Sequence, residues 1–249
     1  MNGLRIEGRV ALVTGANRGI GRAITEALLQ RGIRKVYAAA RDPQMLGVLL
    51  QDERVVPLRL DVTDADQIRA AAETATDLDI IFSNAGVSLG RSLDDDTLVD
   101  LARREMEVNY FGPLQLLHRF AQTLAKNGGG AVVNVGSASG LVNMPAFPTY
   151  SASKAALHSL TQAMRALLEP HGTAVFGVYP GPVDTDMVRD LALPKTAASE
   201  VASGILDGVE AGQEDIFPDP LAINFGKQFE SSPKTAERQF AAMAAAMRG

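Results

Sequence analysis

The chain has 249 residues, with 24 Lys and Arg against 29 Asp and Glu, a formal net charge of −5. Hydrophobic residues make up 46% and charged residues 21%, a globular balance that argues against disorder, collagen or a coiled coil. With no cysteine, disulfides, Cys-ligated metals and thiol catalysis are excluded, and the acidic balance argues against nucleic acid as a partner.

One α/β domain over residues 1–249 is expected, burying about 70–75% of the surface its unfolded chain would expose. Met1 to Arg9 lacks the apolar stretch of a signal peptide. No uncharged apolar run reaches the ~20 residues of a membrane span. The expectation is a cytoplasmic protein with no membrane partner.

Val10 to Thr14 is an apolar run ending at Gly15 and reads as a buried strand. Ile20 to Arg31 has apolar residues at helical spacing and stops at Gly32. Val36 to Ala40 predicts a second strand, Pro43 to Leu50 a short helix, and Val55 to Leu60 a third strand. Asp64 to Ala75 predicts a helix with acidic residues at its N-terminus. Leu78 to Phe82 is the fourth strand, and Leu93 to about Lys126 a helix bent near Gly112-Pro113. Asp94, Asp95 and Asp96 read as its N-terminal turn. After the turn Gly128 to Gly130 come a strand over Ala131 to Gly136 and a helix over Thr149 to Leu168. Ala174 to Tyr179 is the sixth strand, closed by Pro180-Gly181-Pro182. A helix over Ser199 to Ala211, a short strand at Asp215 to Phe217 and a helical tail from Pro233 to Met247 complete the chain.

The order is strand then helix, about six times, with strands apolar on both faces. That is the mark of a doubly wound, mostly parallel sheet of about seven strands covered by helices on both sides. Ligands bind such sheets at the carboxyl ends of the strands. Thr14 to Gly21 lies there, between the first strand and the first helix. Gly15, Gly19 and Gly21 let the backbone turn and approach a pyrophosphate, with Asn17, Arg18 and Ile20 in the same loop. No Lys-Ser or Lys-Thr pair follows, which argues against a P-loop.

A carboxylate at the end of the second strand would hold a free ribose 2′-hydroxyl. That place holds Ala40, followed by Arg41. Arg41, with Arg18 converging from the loop, suits a 2′-phosphate and predicts NADP(H) rather than NAD(H).

Tyr150 and Lys154 are four residues apart on one helix face, among small residues. Ser137, Asn84-Ala85-Gly86 and Pro180 to Thr185 fall at the same carboxyl edge. Taken together, T-G-x-x-x-G-x-G at Thr14 to Gly21, N-A-G at Asn84 to Gly86, Asn109, Ser137, Y-x-x-x-K at Tyr150 to Lys154 and P-G-x-x-x-T at Pro180 to Thr185 resemble the short-chain dehydrogenase/reductase family. The match runs from about Gly8 to about Pro218.

The resemblance implies a Rossmann-type fold and an NADP(H)-dependent reduction of a ketone or aldehyde, run reversibly. It implies catalytic roles for Asn109, Ser137, Tyr150 and Lys154. Tyr150 is the general acid or base, its pKa of ~10 lowered by the Lys154 ammonium. Ser137 bonds the substrate oxygen, Lys154 the nicotinamide ribose, and Asn109 holds a relay water. Asp61 and Val62 would contact adenine, and Asn84, Ala85 and Gly86 its ribose. Pro180, Gly181, Val183 and Thr185 would contact the nicotinamide. Ser139, two residues past Ser137, is expected farther along the loop. Ser83 and Gly136 depart from common family choices without removing a reactive group.

Substrate loops are expected at about 87–93, 139–147 and 186–198, with Met187 to Pro194 as a mobile lid and Val87, Leu89, Leu141, Val142, Met144, Phe147, Met187 and Leu191 as apolar lining. His118, His158 and His171 lack metal-ligand spacing, so no metal is expected. The resemblance also implies a homodimer or homotetramer through the helices at 93–126 and 149–168. The tail from Phe240 to Met247 would dock on its own domain or a neighbour. The alternatives are a 3-oxoacyl-[acyl-carrier-protein] reductase, with Arg91, Arg103 and Arg104 as a thin basic patch, and a non-catalytic NADPH-binding regulator.

Overall fold

The structure, a computed structural model, describes residues 3–90, 92, 94–189 and 194–246. Seven strands form one parallel sheet: β1 (Val10–Thr14), β2 (Lys35–Ala40), β3 (Val55–Arg59), β4 (Ile80–Ser83), β5 (Gly130–Val135), β6 (Thr173–Val178) and β7 (Asp215–Ile216). Their order is β3-β2-β1-β4-β5-β6-β7. The chain winds outward from β1 through β2 to β3, then returns to the other side of β1 at β4. The crevice outside the carboxyl ends of β1 and β4 is therefore the switch point of the sheet.

The helices are α1 (Gly19–Gln30), α2 (Ala65–Thr74), α3 (Leu98–Met106), α4 (Gly112–Lys126), α5 (Pro148–Leu168), α6 (Ala198–Ala211), α7 (Pro220–Ser231) and α8 (Pro233–Ala246). Alternation along β1 shows why its run is wholly apolar. Ala11 and Val13 join one core with Ile24 and Leu28 of α1 and Ile205 of α6. Val10 and Leu12 join the other with Ile68 of α2, Phe120 of α4 and Met164 of α5. Both faces are buried, as a parallel sheet requires.

Most expected elements form with ends shifted by one or two residues, and the differences have local causes. Pro43–Gln51 is not a regular helix but 3₁₀ turns broken at Gly47, whose φ is 56°. The long helix begins at Leu98 rather than Leu93, a residue outside the described ones. Its acidic run precedes it: Asp95 accepts from the Thr97 N–H (2.8 Å) and hydroxyl (2.6 Å), a local turn that competes with helix. Those bonds hold the Asp95 carboxyl below its usual range. The irregularity expected at Gly112-Pro113 lies just upstream, as a π turn over Glu107–Phe111. Pro113 comes just after the π turn, so its missing N–H falls where the regular helical ladder is already interrupted. A Cβ on Gly112 would lie 2.8 Å from Val62 Cγ2, so that glycine serves packing.

Helix α7 was not expected. Asp219 caps it by accepting from Ala222 N at 2.9 Å, with Pro220 at its start. The tail helix α8 docks on its own chain: Phe240 stacks on Phe225 with centroids 4.6 Å apart. With Ala236 and Ala244 they cover Ala138, Val142 and Met144, the segment beyond β5. Met247 lies outside the described residues.

Candidate active site

The crevice is built around Thr14. Its hydroxyl oxygen accepts from Asn84 N and Ala85 N, both at 3.0 Å. The Asn84 side-chain amide returns a bond to the Thr14 carbonyl at 2.9 Å. Asn84 is thus engaged in tying β4 to the glycine loop. Close approach is obligatory there: a Cβ on Gly21 would lie 2.3 Å from Gly15 O and 2.4 Å from Asn84 Nδ2. Gly15 and Gly19 have φ of 67° and 54°, the left-handed region that glycine enters without strain. The N-terminus of α1 has no side-chain cap and no acidic residue in its first turn. Its free N–H groups and positive dipole end face the crevice, a suitable cradle for a pyrophosphate.

Arg41 is exposed and follows β2, whose Ala39 pairs with Thr14, so it flanks the start of the loop. Arg18, expected to converge on the same point, is engaged by an acidic partner. Its guanidinium lies 3.5 Å from Asp186, in the turn Asp186–Val188 that follows Thr185. Asp61 does not cap α2. Its carboxylate accepts from the Thr63 N–H and hydroxyl, while Asp64 caps the helix. Val62 is buried against Gly112.

On the other side of the crevice, Lys154 is 4% exposed and donates to the Val135 carbonyl at 2.8 Å. Burial pulls its ammonium pKa from 10.5 down to about 8. Its Nζ lies 5.9 Å from the centre of the Tyr150 ring, one helical turn away. A Cβ on Gly86 would lie 3.4 Å from Lys154 Nζ and 3.2 Å from Asn109 Oδ1. Gly86 therefore separates the two by contact distances. Asn109 is fully buried in the π turn; its amide donates to Val87 O (2.8 Å) and Ser153 Oγ (2.9 Å), and accepts from Val87 N (2.9 Å). Ser153 donates in turn to the Tyr150 carbonyl at 2.7 Å.

Ser137 begins the turn Ala138–Gly140 directly after Gly136. Ser139 is not remote, contrary to the sequence expectation. The turn folds back so that the two hydroxyl oxygens lie 2.9 Å apart, and Ser139 N donates to Ser137 Oγ at 3.2 Å. Gly181 is fixed by donation from its N–H to Asp219 Oδ2 at 2.9 Å. Val183 bridges Thr196, and Thr185 donates to Val183 O at 3.2 Å. A Cβ on Gly19 would lie 3.2 Å from Thr185 Cγ2, so this loop closes over the N-terminus of α1. Of the substrate loops, Arg91, Leu93 and residues 190–193, including Leu191, lie outside the described residues.

Sequence reasoning placed Thr14 in the glycine motif and missed Glu105, Ser153 and Asp219 as supports of the site. Only Asp219 carried a readable signal, an Asp directly before Pro at a helix start. Among the described residues no three His, Asp or Glu side chains are grouped to hold a metal. His158 lies behind the site with Nδ1 2.7 Å from the Tyr179 hydroxyl.

A family model described as short chain dehydrogenase matches residues 9–195. A 3-oxoacyl-[acyl-carrier-protein] reductase of Vibrio harveyi is 31% identical over 241 residues, covering 94% of this chain and 93% of that protein. A galactitol 2-dehydrogenase (L-tagatose-forming) of Cereibacter sphaeroides is 38% identical over 195 residues, 74% of each chain. The crystal structure of a short chain dehydrogenase from Burkholderia cenocepacia in complex with NADP superposes with a TM-score of 0.89. It is 38% identical, covering 95% of this chain and 99% of that one.

Proposed function

The chain belongs to the short-chain dehydrogenase/reductase family of oxidoreductases, and from that premise we propose that it reduces a ketone or aldehyde to an alcohol with NADPH, reversibly. The observation that carries this reading is a buried Lys154 beside the Tyr150 ring, bonded to the Val135 carbonyl two residues before Ser137, next to a glycine-lined crevice with an uncapped helix N-terminus. Bound in that crevice, NADPH would supply the hydride.

This chain's residues would do the rest. Gly15 to Gly21 leave room for the pyrophosphate, and the N–H groups at the start of α1 bind it. Exposed Arg41 pairs with the 2′-phosphate. Thr185 and Val183 flank the nicotinamide. The Ser137 hydroxyl, oriented by Ser139, bonds the carbonyl oxygen as charge develops there. Tyr150 donates the proton to that oxygen in reduction and removes it in oxidation. The adjacent Lys154 ammonium stabilises the phenolate left behind. Both amide donors of Asn109 are committed to Val87 and Ser153, so its amide positions the site. Subunits would pair through α4 and α5 as a homodimer or homotetramer.

A second reading, 3-oxoacyl-[acyl-carrier-protein] reductase, is favoured by the near full-length similarity to the Vibrio harveyi protein. Of its basic patch, Arg103 is paired with Asp100 at 2.8 Å and Arg91 lies outside the described residues, leaving Arg104. Turnover of an acyl-carrier substrate beside simple ketones separates the two. For either, Tyr150→Phe should abolish turnover and leave NADPH binding within about twofold. Undiminished turnover would refute the assignment of Tyr150.

A further inference from the structure

The segment from Gly86 to Gly90 carries Val87 and Leu89 from the end of β4 to the substrate side of the site. Its backbone is held by two side chains one turn apart. Asn109 engages both polar backbone groups of Val87. Four residues earlier, Glu105 accepts from Leu89 N at 2.6 Å and from Gly90 N at 3.2 Å, both through Oε1. Glu105 is 0% exposed, and its Oε2 is buried with no hydrogen-bond partner among the described residues.

A fully buried carboxyl group is costly to desolvate, and such a group is kept where its hydrogen bonds do something an apolar residue would not. Two backbone donors converge on one oxygen here, and removing that oxygen would strand both N–H groups. The loop is also pinched from the far side. A Cβ on Gly90 would lie 2.4 Å from Thr149 Oγ1 and 2.8 Å from Leu98 Cδ1. Thr149 precedes Tyr150 directly, so Gly90 is registered against the first turn of the catalytic helix. Asn109 is linked to the same turn through Ser153 and the Tyr150 carbonyl.

We propose that Glu105 is a positioning residue for carbonyl substrates, holding residues 87–90 so that Val87 and Leu89 face the Tyr150 hydroxyl at a fixed distance. This rests on the carbonyl-reductase reading of the same site. The glycine loop and Arg41 lie on the β1–β2 side, whereas the bonds of Glu105 go to Leu89 and Gly90. Loosening it therefore affects carbonyl placement and spares the cofactor.

The test compares Glu105→Met, which keeps size but loses the acceptor, with Glu105→Gln, which keeps an amide oxygen. Gly90→Ala disturbs the same loop without touching the buried carboxyl group. Steady-state reduction of a small ketone should show the carbonyl KM raised at least tenfold in E105M and G90A. E105Q should stay within threefold of the wild type, and the NADPH Kd should change less than twofold throughout. Amide hydrogen exchange at Leu89 and Gly90 in the cofactor-free protein should be at least tenfold faster in E105M and near wild type in E105Q. An unchanged carbonyl KM, an NADPH Kd that moves by the same factor, or unchanged exchange would each overturn the proposal. If E105M fails to fold, G90A carries the kinetic test, and an unchanged KM there is equally fatal. A wild type inactive on every carbonyl tested would sink the reductase reading, while the exchange comparison would still judge the clamp.

Discussion

Lys154→Met should cost activity and improve the pH profile of stability. In the folded cofactor-free protein burial depresses the Lys154 pKa from 10.5 to about 8. Below the folded value the side chain is charged in both states, and folding bears the full desolvation cost. Between the two values the unfolded state binds more protons, so stability rises with pH; above 10.5 the cost is gone. At about 1.4 kcal/mol per pKa unit the penalty is roughly 3 kcal/mol at pH 7 and roughly 1 kcal/mol at pH 10. Methionine removes it but leaves the Val135 carbonyl without the Lys154 donor at 2.8 Å, a loss of about 1–3 kcal/mol that does not depend on pH. The variant should therefore match or exceed the wild type at pH 7 and lose about 2 kcal/mol against it by pH 10. Denaturant unfolding of both proteins at the two pH values measures this directly. A difference between them that does not move with pH would refute the assignment of a strained, buried ammonium. Turnover should fall by about 10²-fold or more in the variant.

Arg41→Asp should weaken NADPH binding by roughly 10- to 10⁴-fold and NADH binding far less, read by fluorescence titration; equal losses would remove Arg41 from the 2′-phosphate site. Gly21→Ala places a Cβ 2.3 Å from Gly15 O, which should destabilise by about 1–3 kcal/mol and lower affinity for either cofactor, measured by thermal shift with and without NADPH. Ser137→Ala should cut kcat by about 10²-fold or more. Ser139→Ala, which removes only the hydroxyl that bonds Ser137, should cost less than about tenfold. Equal losses would mean that the two serines act as one unit.

What the sequence made legible was whatever depends on local pattern. The strands of the sheet are short apolar runs between turn residues, and their burial on both faces follows from the absence of alternation. The glycine loop, Ser137, Tyr150 and Lys154 all fall at the carboxyl edge where the order of elements puts them. What stayed hidden depends on contacts distant in sequence. Glu105 follows two arginines and reads as part of a solvated helix face; in the fold it is buried and bonded to the loop at 87–90. Arg18 is aimed by Asp186, 168 positions later in the chain. The start of α3 was misplaced because Asp95 satisfies Thr97 locally, and the propensity of an acidic run does not distinguish a helix turn from the bend before it.

The packing of α7 and α8 is a unit of its own. Phe225, Ala236, Phe240 and Ala244 form a cluster with Ala138, Val142 and Met144 that shares no residue with the two cores of the sheet. The family match ends at residue 195, before either helix begins. The wall beyond Ser137 can therefore be repacked without touching either core of the sheet, so long as Asp219 at the start of α7 keeps its bond to Gly181. A change in the shape of that wall is thus a change in one small cluster, carried by α7 and α8.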